Sequence, residues 1–354
     1  MISMKAVLAP ILALAFSASS ALAQEELQLK EPIFKKLYDD AQAAGEREVV
    51  YYTQARTEEA EALNELWAAN FPNLSLKIVP KKAPELVTLV QAEKAAGRVL
   101  GDVITNTQPY IAELWKKEGR FLPYKTSSFE KLGNYADPEG AYYATGVYLL
   151  APVFNTKLVA KEERPKSLAD FLDPKWKGKI VIADPATAGN SRSFFLGMHK
   201  AGKLDWDYLE KLAQQDVLFV RTSPEIVRMI ASGERSVTPS VSSHNVLTAM
   251  KIGQSIDLYG LSDGTLVTEQ PSGILAGGPN PNGAKLLLEV LTSAQGQALL
   301  SSRANYWPTN ADAQESAGLP SIDTFNPLQV DLSDISDAEA DEFIARLTKT
   351  FGRE

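Results

Sequence analysis

The chain has 354 residues, a formal net charge of −8 and no cysteine. A single core rarely grows beyond about 300 residues, so the length predicts two lobes. The acidic balance argues against a protein whose affinity comes from the phosphate backbone of nucleic acid, and the missing thiols exclude disulfides, thiolate metal sites and cysteine nucleophiles.

The N-terminus has the pattern of a secretory signal peptide. Lys5 is the only charge before Glu25, residues 6–18 are a short apolar stretch, and Ala21-Leu22-Ala23 is an A-x-A cleavage site. A membrane anchor is the weaker alternative, because the apolar run is shorter than the ~18 to 20 residues that a span needs. We therefore predict a signal peptide over 1–23, cleavage after Ala23, and an exported periplasmic protein with 35 basic and 44 acidic residues, a net charge of −9.

The first half of the mature chain alternates predicted helices and strands. A helix over 33–44 comes first, and Gly45 ends it. The elements that follow are a strand at 48–53, a helix at 57–71, a strand at 74–79, a helix at 84–96, a strand at 101–105 and a helix at 109–119. This order predicts right-handed parallel crossovers, and hence an α/β sheet.

The second half repeats the pattern and predicts a second α/β lobe. A buried strand or pair of strands is expected over 142–151, and Ser223 is expected to cap a helix with Pro224 at its first position. Further strands are predicted at 153–156, 180–183, 217–220, 237–241, 266–267 and 272–277. Further helices are predicted at 167–172, 194–198, 204–213, 245–252, 284–291, 294–301 and 336–351.

One stretch, residues 180–195, has the pattern of an anion-binding loop. An apolar run breaks at Asp184-Pro185, passes through small and hydroxylated residues, and continues into a helical pattern from Phe194. A helix N-terminus with free N–H groups attracts anions, and Arg192 could add a charge-assisted contact. The alternative is an ordinary turn followed by a helix that Asn190 or Ser191 caps.

Several segments in this order resemble the type 2 periplasmic solute-binding proteins of ABC transporters (extracellular solute-binding family 1). These segments are Val50-Tyr-Tyr-Thr-Gln54, Gly101-Asp-Val-Ile104, Asp173-Pro-Lys-Trp-Lys-Gly-Lys179, Gly296-Gln297 and Tyr306-Trp-Pro308. The similarity is greatest to the branch that contains ferric-iron-binding proteins, with relatives that bind phosphorylated sugars, phosphonates or thiamine.

The resemblance implies two lobes joined by two hinge strands, with a ligand cleft between them. It places lobe 1 at residues 24–145 plus about 266–325, and lobe 2 at 146–265 plus about 326–354. The chain is expected to cross between the lobes near 143–149 and to return near 261–267.

The sequence departs from the iron-binding pattern at the positions that would hold the metal. The turn at 239–245 has no tyrosine pair, the acidic ligand corresponds to Thr107 or Gln108, and the histidine ligand falls near Ala55 or Arg56. A hard trivalent cation needs anionic oxygen ligands. We therefore expect no metal and no cofactor, and keep ferric iron as the alternative.

The anion half of the family's site persists, and it implies a set of candidate ligand residues. Three loops offer hydroxyls or helix N-terminal amides, and Arg56, Arg192 and Arg221 lie beside them. The candidates are Thr53, Gln54, Arg56, Thr107, Gln108, Thr187, Ala188, Gly189, Asn190, Ser191, Arg192, Thr222, Ser223, Ser242, Ser243 and His244. Four tyrosines could wall an organic portion or could serve only in core and hinge packing: Tyr52, Tyr110, Tyr143 and Tyr148.

These observations predict a monomeric binding protein that captures a small organic or phosphorylated anion and delivers it to an inner-membrane permease. An exported serine hydrolase is the less favoured alternative. The segment Gly189-Asn-Ser-Arg-Ser193 narrowly misses G-x-S-x-G, and His244 could partner Ser191, but no oxyanion motif is evident. We therefore expect no enzymatic activity.

Overall fold

The computed structural model describes residues 28–107, 109–332 and 334–353. The predicted signal peptide, its cleavage after Ala23 and the candidate Gln108 lie outside the described residues. The helices are α1 (Pro32–Ala43), α2 (Thr57–Asn70), α3 (Ala83–Ala95), α4 (Pro109–Lys117), α5 (Phe129–Leu132), α6 (Gly189–Lys200), α7 (Trp206–Ala213), α8 (Ser223–Ser232), α9 (Ser243–Lys251), α10 (Pro281–Thr292), α11 (Ala294–Ala304) and α12 (Asp337–Thr350).

Eight strands of the described residues form one mixed sheet, and two more form a small parallel sheet. The large sheet has the order β2-β1-β3-β9-β4-β7, with β10 beside β9 and β8 beside β4. The strands are β1 (Glu48–Thr53), β2 (Ser75–Pro80), β3 (Val103–Thr105), β4 (Tyr143–Asn155), β5 (Val181–Ala183), β6 (Leu218–Val220), β7 (Val237–Ser242), β8 (Ile256–Leu258), β9 (Thr265–Ile274) and β10 (Pro327–Leu328).

The first lobe has the parallel crossovers that the sequence predicts. β1 pairs in parallel with β2 on one side and with β3 on the other. Its residues alternate toward helices on both faces, so that Tyr51 packs with Trp67 of α2 while Tyr52 packs with Leu86 of α3. The carboxyl ends of these strands, and the helix N-termini that follow them, therefore lie at one edge of the lobe.

β4 and β9 are the longest strands and lie antiparallel beside each other along 143–150. Every residue of β4 is buried, which explains its nearly unbroken apolar run. The sequence left open whether this region forms one strand or two, and the structure has one strand, with a register shift against β7 around Pro152. A proline has no N–H to donate to the ladder, so this interruption is expected. β9 is likewise one strand that ends at Ile274, where two separate segments were predicted.

The second lobe combines β5, β6 and β7 with α6 to α9, and α12 packs against it through Ile344 and Leu347. The start of α8 differs from the prediction. Thr222, and not Ser223, is the N-cap of α8, and its hydroxyl accepts from the Glu225 N–H at 3.4 Å. Threonine and serine are both preferred N-cap residues, so the local sequence offered two adjacent candidates.

The lobe boundaries proposed from the sequence stay a prediction, because β4 and β9 belong to a sheet that is continuous across them. Trp307 and Phe325, which the prediction assigns to lobe 1, pack with Ile226 and Val241 of lobe 2.

Among the described residues, no helix combines the length and the apolar character that crossing a bilayer requires.

Candidate functional site

Three loops of the second lobe meet where their helices begin. Asn190, in the first turn of α6, donates from Nδ2 to the Ser242 hydroxyl at 2.6 Å. Ser242 ends β7 directly before α9, and its Oγ lies 3.3 Å from the Oγ of Ser223, the first residue of α8. The first turns of three helices, with their free N–H groups and positive dipole ends, therefore come together at this point.

Tyr148 of β4 connects this cluster to the strands between the lobes. Its phenol donates to Asn190 Oδ1 at 2.7 Å. Burial raises the pKa of the Tyr148 phenol above its ordinary value, so the group stays protonated and remains a donor. The ring packs edge-on against His244, with centroids 4.9 Å apart, and lies 6.0 Å from the ring of Tyr306.

The first lobe contributes the residues that follow β1 and β3. Thr107 donates from Oγ1 to Gln54 Oε1 at 2.5 Å. Thr53 is buried, and its hydroxyl accepts from the Ala55 N–H at 3.1 Å. The Thr107 hydroxyl also lies beside the Tyr148 phenol, so the two strand ends of lobe 1 reach the cluster of lobe 2.

Arg56 brings a positive charge to this region. Its Nη2 donates to the Ala304 carbonyl at 2.7 Å and its Nη1 to Thr248 Oγ1 of α9 at 3.4 Å. The Nε group is buried and has no hydrogen-bond partner in the described part of the chain. The guanidinium thus bridges the loop after β1 to α9, and keeps one donor unused.

His244, the second residue of α9, is buried and uncharged. Burial, together with the nearby positive charge of Arg56, lowers the pKa of the His244 imidazole to about 3. Its Nε2 lies 3.1 Å from the amide nitrogen of Asn245. Because an amide nitrogen can only donate, Nε2 accepts and the ring proton sits on Nδ1. No acceptor for Nδ1 is found among the described residues.

Glu59 is a buried carboxyl close to Arg56. Tyr306 donates to Glu59 Oε2 at 3.3 Å, and Glu59 is only 6% exposed. Burial raises the pKa of Glu59 to about 7, which the Arg56 guanidinium only partly offsets. At neutral pH the carboxyl therefore changes its charge with small changes in pH.

This carboxyl predicts pH-dependent anion binding. Above pH 7 Glu59 is ionised and opposes an anion near Arg56, whereas below pH 7 it is neutral. We expect anion affinity to fall about fivefold from pH 6 to pH 8, a difference of roughly 1 kcal/mol. The measurement is calorimetric titration with sulfate or a carboxylate, whose own charge does not change in this range. Glu59→Gln should make the profile flat, and an equally steep profile in that variant would rule Glu59 out as its source.

Four residues at the cleft were not among the sequence candidates: Glu59, Thr268, Gln270 and Tyr306. Thr268 Oγ1 lies beside the phenol of Tyr148, and Gln270 Nε2 lies beside that of Tyr306, but neither atom makes an aligned hydrogen bond within the described residues. A signal existed in the sequence. Thr268 and Gln270 are polar residues two positions apart, so they share one face of β9.

Other candidates lie elsewhere or serve the fold. Ser191 Oγ donates to the Ala183 carbonyl at 2.6 Å, and Ser243 Oγ accepts from the Leu149 N–H at 3.0 Å. Thr222 caps α8 and is exposed, as Arg221 is. The Thr187 side chain is also exposed.

The loop from Thr187 to Arg192 does begin a helix, but neither of the suggested residues caps it. Ala188 is the N-cap of α6, without a side-chain hydrogen bond, and Gly189 is the first helical residue. Arg192 donates from Nη2 to Asp341 Oδ1 of α12 at 2.6 Å. The structure therefore places Asn190 in the cluster and pairs Arg192 with the C-terminal helix.

The tyrosines expected at the cleft separate in the same way. Tyr52 donates to Glu93 Oε1 at 2.5 Å and Tyr143 donates to the Tyr124 carbonyl at 2.7 Å, both inside lobe 1. Tyr110 lines a groove between the lobes. Tyr148 is hydrogen-bonded to Asn190 in the cluster.

The donor set is poor in metal ligands. Within the ranges that the structure describes, no group of three or more His, Cys, Asp or Glu side chains is placed to hold a metal ion. Tyr148 and Tyr306 are buried, and burial raises the pKa of both phenols. A tyrosinate ligand to ferric iron would therefore require a large pKa depression at either position.

The pair of residues that a hydrolase would need is not assembled. The hydroxyl of Ser191 is engaged by the Ala183 carbonyl. The Nε2 atom of His244 lies against the Asn245 amide. Neither residue is hydrogen-bonded to the other, although a Ser-His pair needs such a contact for general-base activation.

A cleft between two α/β lobes, with two long strands running between them, defines the fold class as that of type 2 periplasmic binding proteins. A model of the family described as bacterial extracellular solute-binding protein matches residues 100–334. This match covers more than half of the chain, and the chain belongs to that family.

Individual relatives share only 20 to 27% sequence identity with the chain. A Haemophilus influenzae protein described as uncharacterized is 27% identical over 202 residues, 54% of this chain and 57% of that protein's length. Iron uptake protein A1 of Synechocystis is 23% identical over 283 residues, 74% of this chain and 76% of that protein. The periplasmic binding protein AfuA of Actinobacillus pleuropneumoniae, solved with exogenous fructose-6-phosphate bound, has a TM-score of 0.75 at 20% identity, over 86% of this chain and 98% of that chain.

Proposed function

We propose that this protein is the periplasmic binding component of an ABC importer that captures a small organic or phosphorylated anion. One observation carries the proposal. Four buried N–H groups near the Asn190 cluster have no aligned acceptor within the described residues: Gln54 Nε2, Arg56 Nε, His244 Nδ1 and Gln270 Nε2. An unsatisfied buried donor costs about 1 to 3 kcal/mol, so several such donors in one place favour a ligand that supplies the acceptors.

The charges of the region support an anion over a neutral ligand. Arg56 contributes a guanidinium charge, and Glu59, with a pKa of about 7, only partly opposes it. The first turns of α6, α8 and α9 add the positive ends of three helix dipoles. Phosphate, phosphonate and carboxylate groups match this arrangement of neutral donors and one guanidinium.

Capture follows from the two-lobe architecture. Gln54, Arg56 and Thr107 lie on lobe 1, and Asn190, Ser223 and Ser242 lie on lobe 2, as the sequence divides the lobes. An anion that accepts hydrogen bonds from both groups stabilises the closed arrangement, and β4 and β9 are the strands about which the lobes would move. The observed affinity is then the energy of the cleft contacts less the cost of closure.

Export and delivery complete the proposal. The signal peptide with cleavage after Ala23 places the mature protein in the periplasm, and the closed lobes present one continuous surface to an inner-membrane permease. The sequence predicts a monomer for this role.

The relatives allow two kinds of cargo. AfuA was solved with fructose-6-phosphate, while the Synechocystis relative is named an iron uptake protein. We favour the anion, because the donors at this cleft are N–H and hydroxyl groups.

A thermal-shift panel on the mature protein tests the proposal. The panel contains sugar phosphates, phosphonates, dicarboxylates, thiamine and ferric citrate. An anion at about 100 times its dissociation constant should add about 2.7 kcal/mol to the free energy of unfolding. A shift with ferric ion alone, accompanied by a visible charge-transfer band, would contradict the anion proposal. Turnover of an ester panel would contradict a role in binding alone.

A further inference from the structure

A second space lies beside the Asn190 cluster, at the mouth between the lobes. It is a groove of about 400 Å³, to which α3 and α4 of lobe 1 contribute one wall and the loop before α6 contributes the other. Cavities of about 300 Å³ or more hold organic ligands. The groove is therefore large enough for an organic group several times the size of a phosphate.

The two walls of this groove differ in chemistry. On the lobe 1 side the lining includes Val87 and Ile111 together with Tyr110. On the lobe 2 side, Arg192 and Asp341 line the groove and are paired with each other at 2.6 Å. Because that pair is neutral as a whole, the groove suits an uncharged, partly apolar group better than a second anionic group.

The groove and the Asn190 cluster are adjacent at the start of α6. Gly189 lines the groove, while the next residue, Asn190, turns its side chain toward Tyr148 and Ser242. A Cβ atom built on Gly189 would meet no atom within 4 Å, and the backbone of Gly189 is not in the left-handed region. Open space therefore begins one residue away from the polar cluster.

We propose that this groove holds the organic tail of the captured anion, so that the ligand is an anionic group carrying an uncharged tail and not a bare oxyanion. The inference rests on the proposed function. The anionic group would bind at Asn190, Ser242 and Arg56. The tail would leave the cluster past Gly189 and lie against Val87 and Tyr110.

The test compares probes that share an anionic group and differ in their tail. Inorganic phosphate, methyl phosphate and phenyl phosphate are titrated calorimetrically, in parallel with acetate, pentanoate and phenylacetate. In whichever series binds, we expect the longest tail to bind about tenfold more tightly than the shortest member, as the burial of an apolar group predicts.

Two variants then locate the tail. Gly189→Leu fills the groove from one wall and should remove most of the affinity that the tail adds. Gly189→Ala, which adds one methyl group, should keep that added affinity. Both should fold, because the position is open and an ordinary residue favours a helix over glycine. Val87→Thr alters the opposite wall at nearly constant shape and should lower the affinity for tailed probes alone.

The outcomes separate the two proposals. Binding that does not depend on tail length, or a tail advantage that survives Gly189→Leu in a folded variant, would overturn the groove inference and leave the anion site intact. Failure of every anion in both series and in the thermal-shift panel would overturn the proposed function, and the groove inference with it.

Discussion

Asn190→Asp should weaken anion binding by about 1,000-fold while leaving the fold intact. The new carboxylate has nearly the shape of the amide, so it can still accept from the Tyr148 phenol, and the Ser242 hydroxyl can rotate to donate to it. A negative charge in the first turn of α6 is favourable for the helix. An anionic ligand, however, would lose a donor and meet a fixed like charge in a desolvated cleft, which costs on the order of 4 kcal/mol.

Calorimetric titration of this variant measures the effect, and its melting temperature controls for folding. Asn190→Ala is the matched comparison. It removes the donor without adding charge, and should cost about 30-fold. If Asn190→Asp instead gained affinity for ferric ion and kept its anion affinity, the cleft would be a cation site.

Arg56→Gln should weaken anion binding by about 100-fold. Glutamine can replace one of the contacts that Arg56 makes to Ala304 and Thr248, but it supplies no positive charge. Removing the charged partner of a buried interaction typically costs about 2 to 5 kcal/mol. The same titration measures the loss. The slope of anion affinity against pH should also differ from that of the wild type, since Glu59 loses the neighbouring Arg56 charge.

Arg56→Lys is the control for this substitution. It keeps the charge and loses the planar fork, so an intermediate loss of about tenfold is expected. Equal losses in Arg56→Gln and Arg56→Lys would indicate that the contact to the Ala304 carbonyl, and not the positive charge, is what the cleft needs.

The convergence of three loops could be predicted from the sequence. The resemblance to the family implies that the loops holding Asn190, Ser223 and Ser242 share one cleft. A series of βα units, which places strand carboxyl ends and helix N-termini at one edge of a lobe, gives the physical reason. The structure confirms their proximity. It also confirms the α/β fold class and the parallel crossovers of β1 to β3. Both could be predicted because they follow from the order of strands and helices alone.

The ion-pair partner of Arg192 could not be predicted from the sequence. Its partner Asp341 lies 149 residues further along the chain, and the local sequence fits equally well with a guanidinium aimed into the cleft. The sequence predicts only that Asp341 lies on the last helix, at 336–351. Where that helix docks is decided by the packing of Ile344 and Leu347 against lobe 2.

The contribution of β9 to the cleft was missed for a different reason. The sequence predicts two short strands, at 266–267 and 272–277, with Gln270 between them, whereas in the structure Gln270 belongs to one continuous strand. Its neighbour Glu269 has an intermediate exposure, while Thr268 and Gln270 are buried. An alternation of buried polar residues beside Tyr148 is meaningful only once β4 and β9 are known to be partners.

The most direct test of the anion site is a crystal structure of the mature protein with the anion that shifts its melting temperature most. We predict that the anionic oxygens lie within hydrogen-bond distance of Asn190, Ser242 and the Arg56 guanidinium, with both lobes in contact with the ligand. An anion bound away from these three residues, or a metal ion ligated by Tyr148 or Tyr306 in their place, would contradict it.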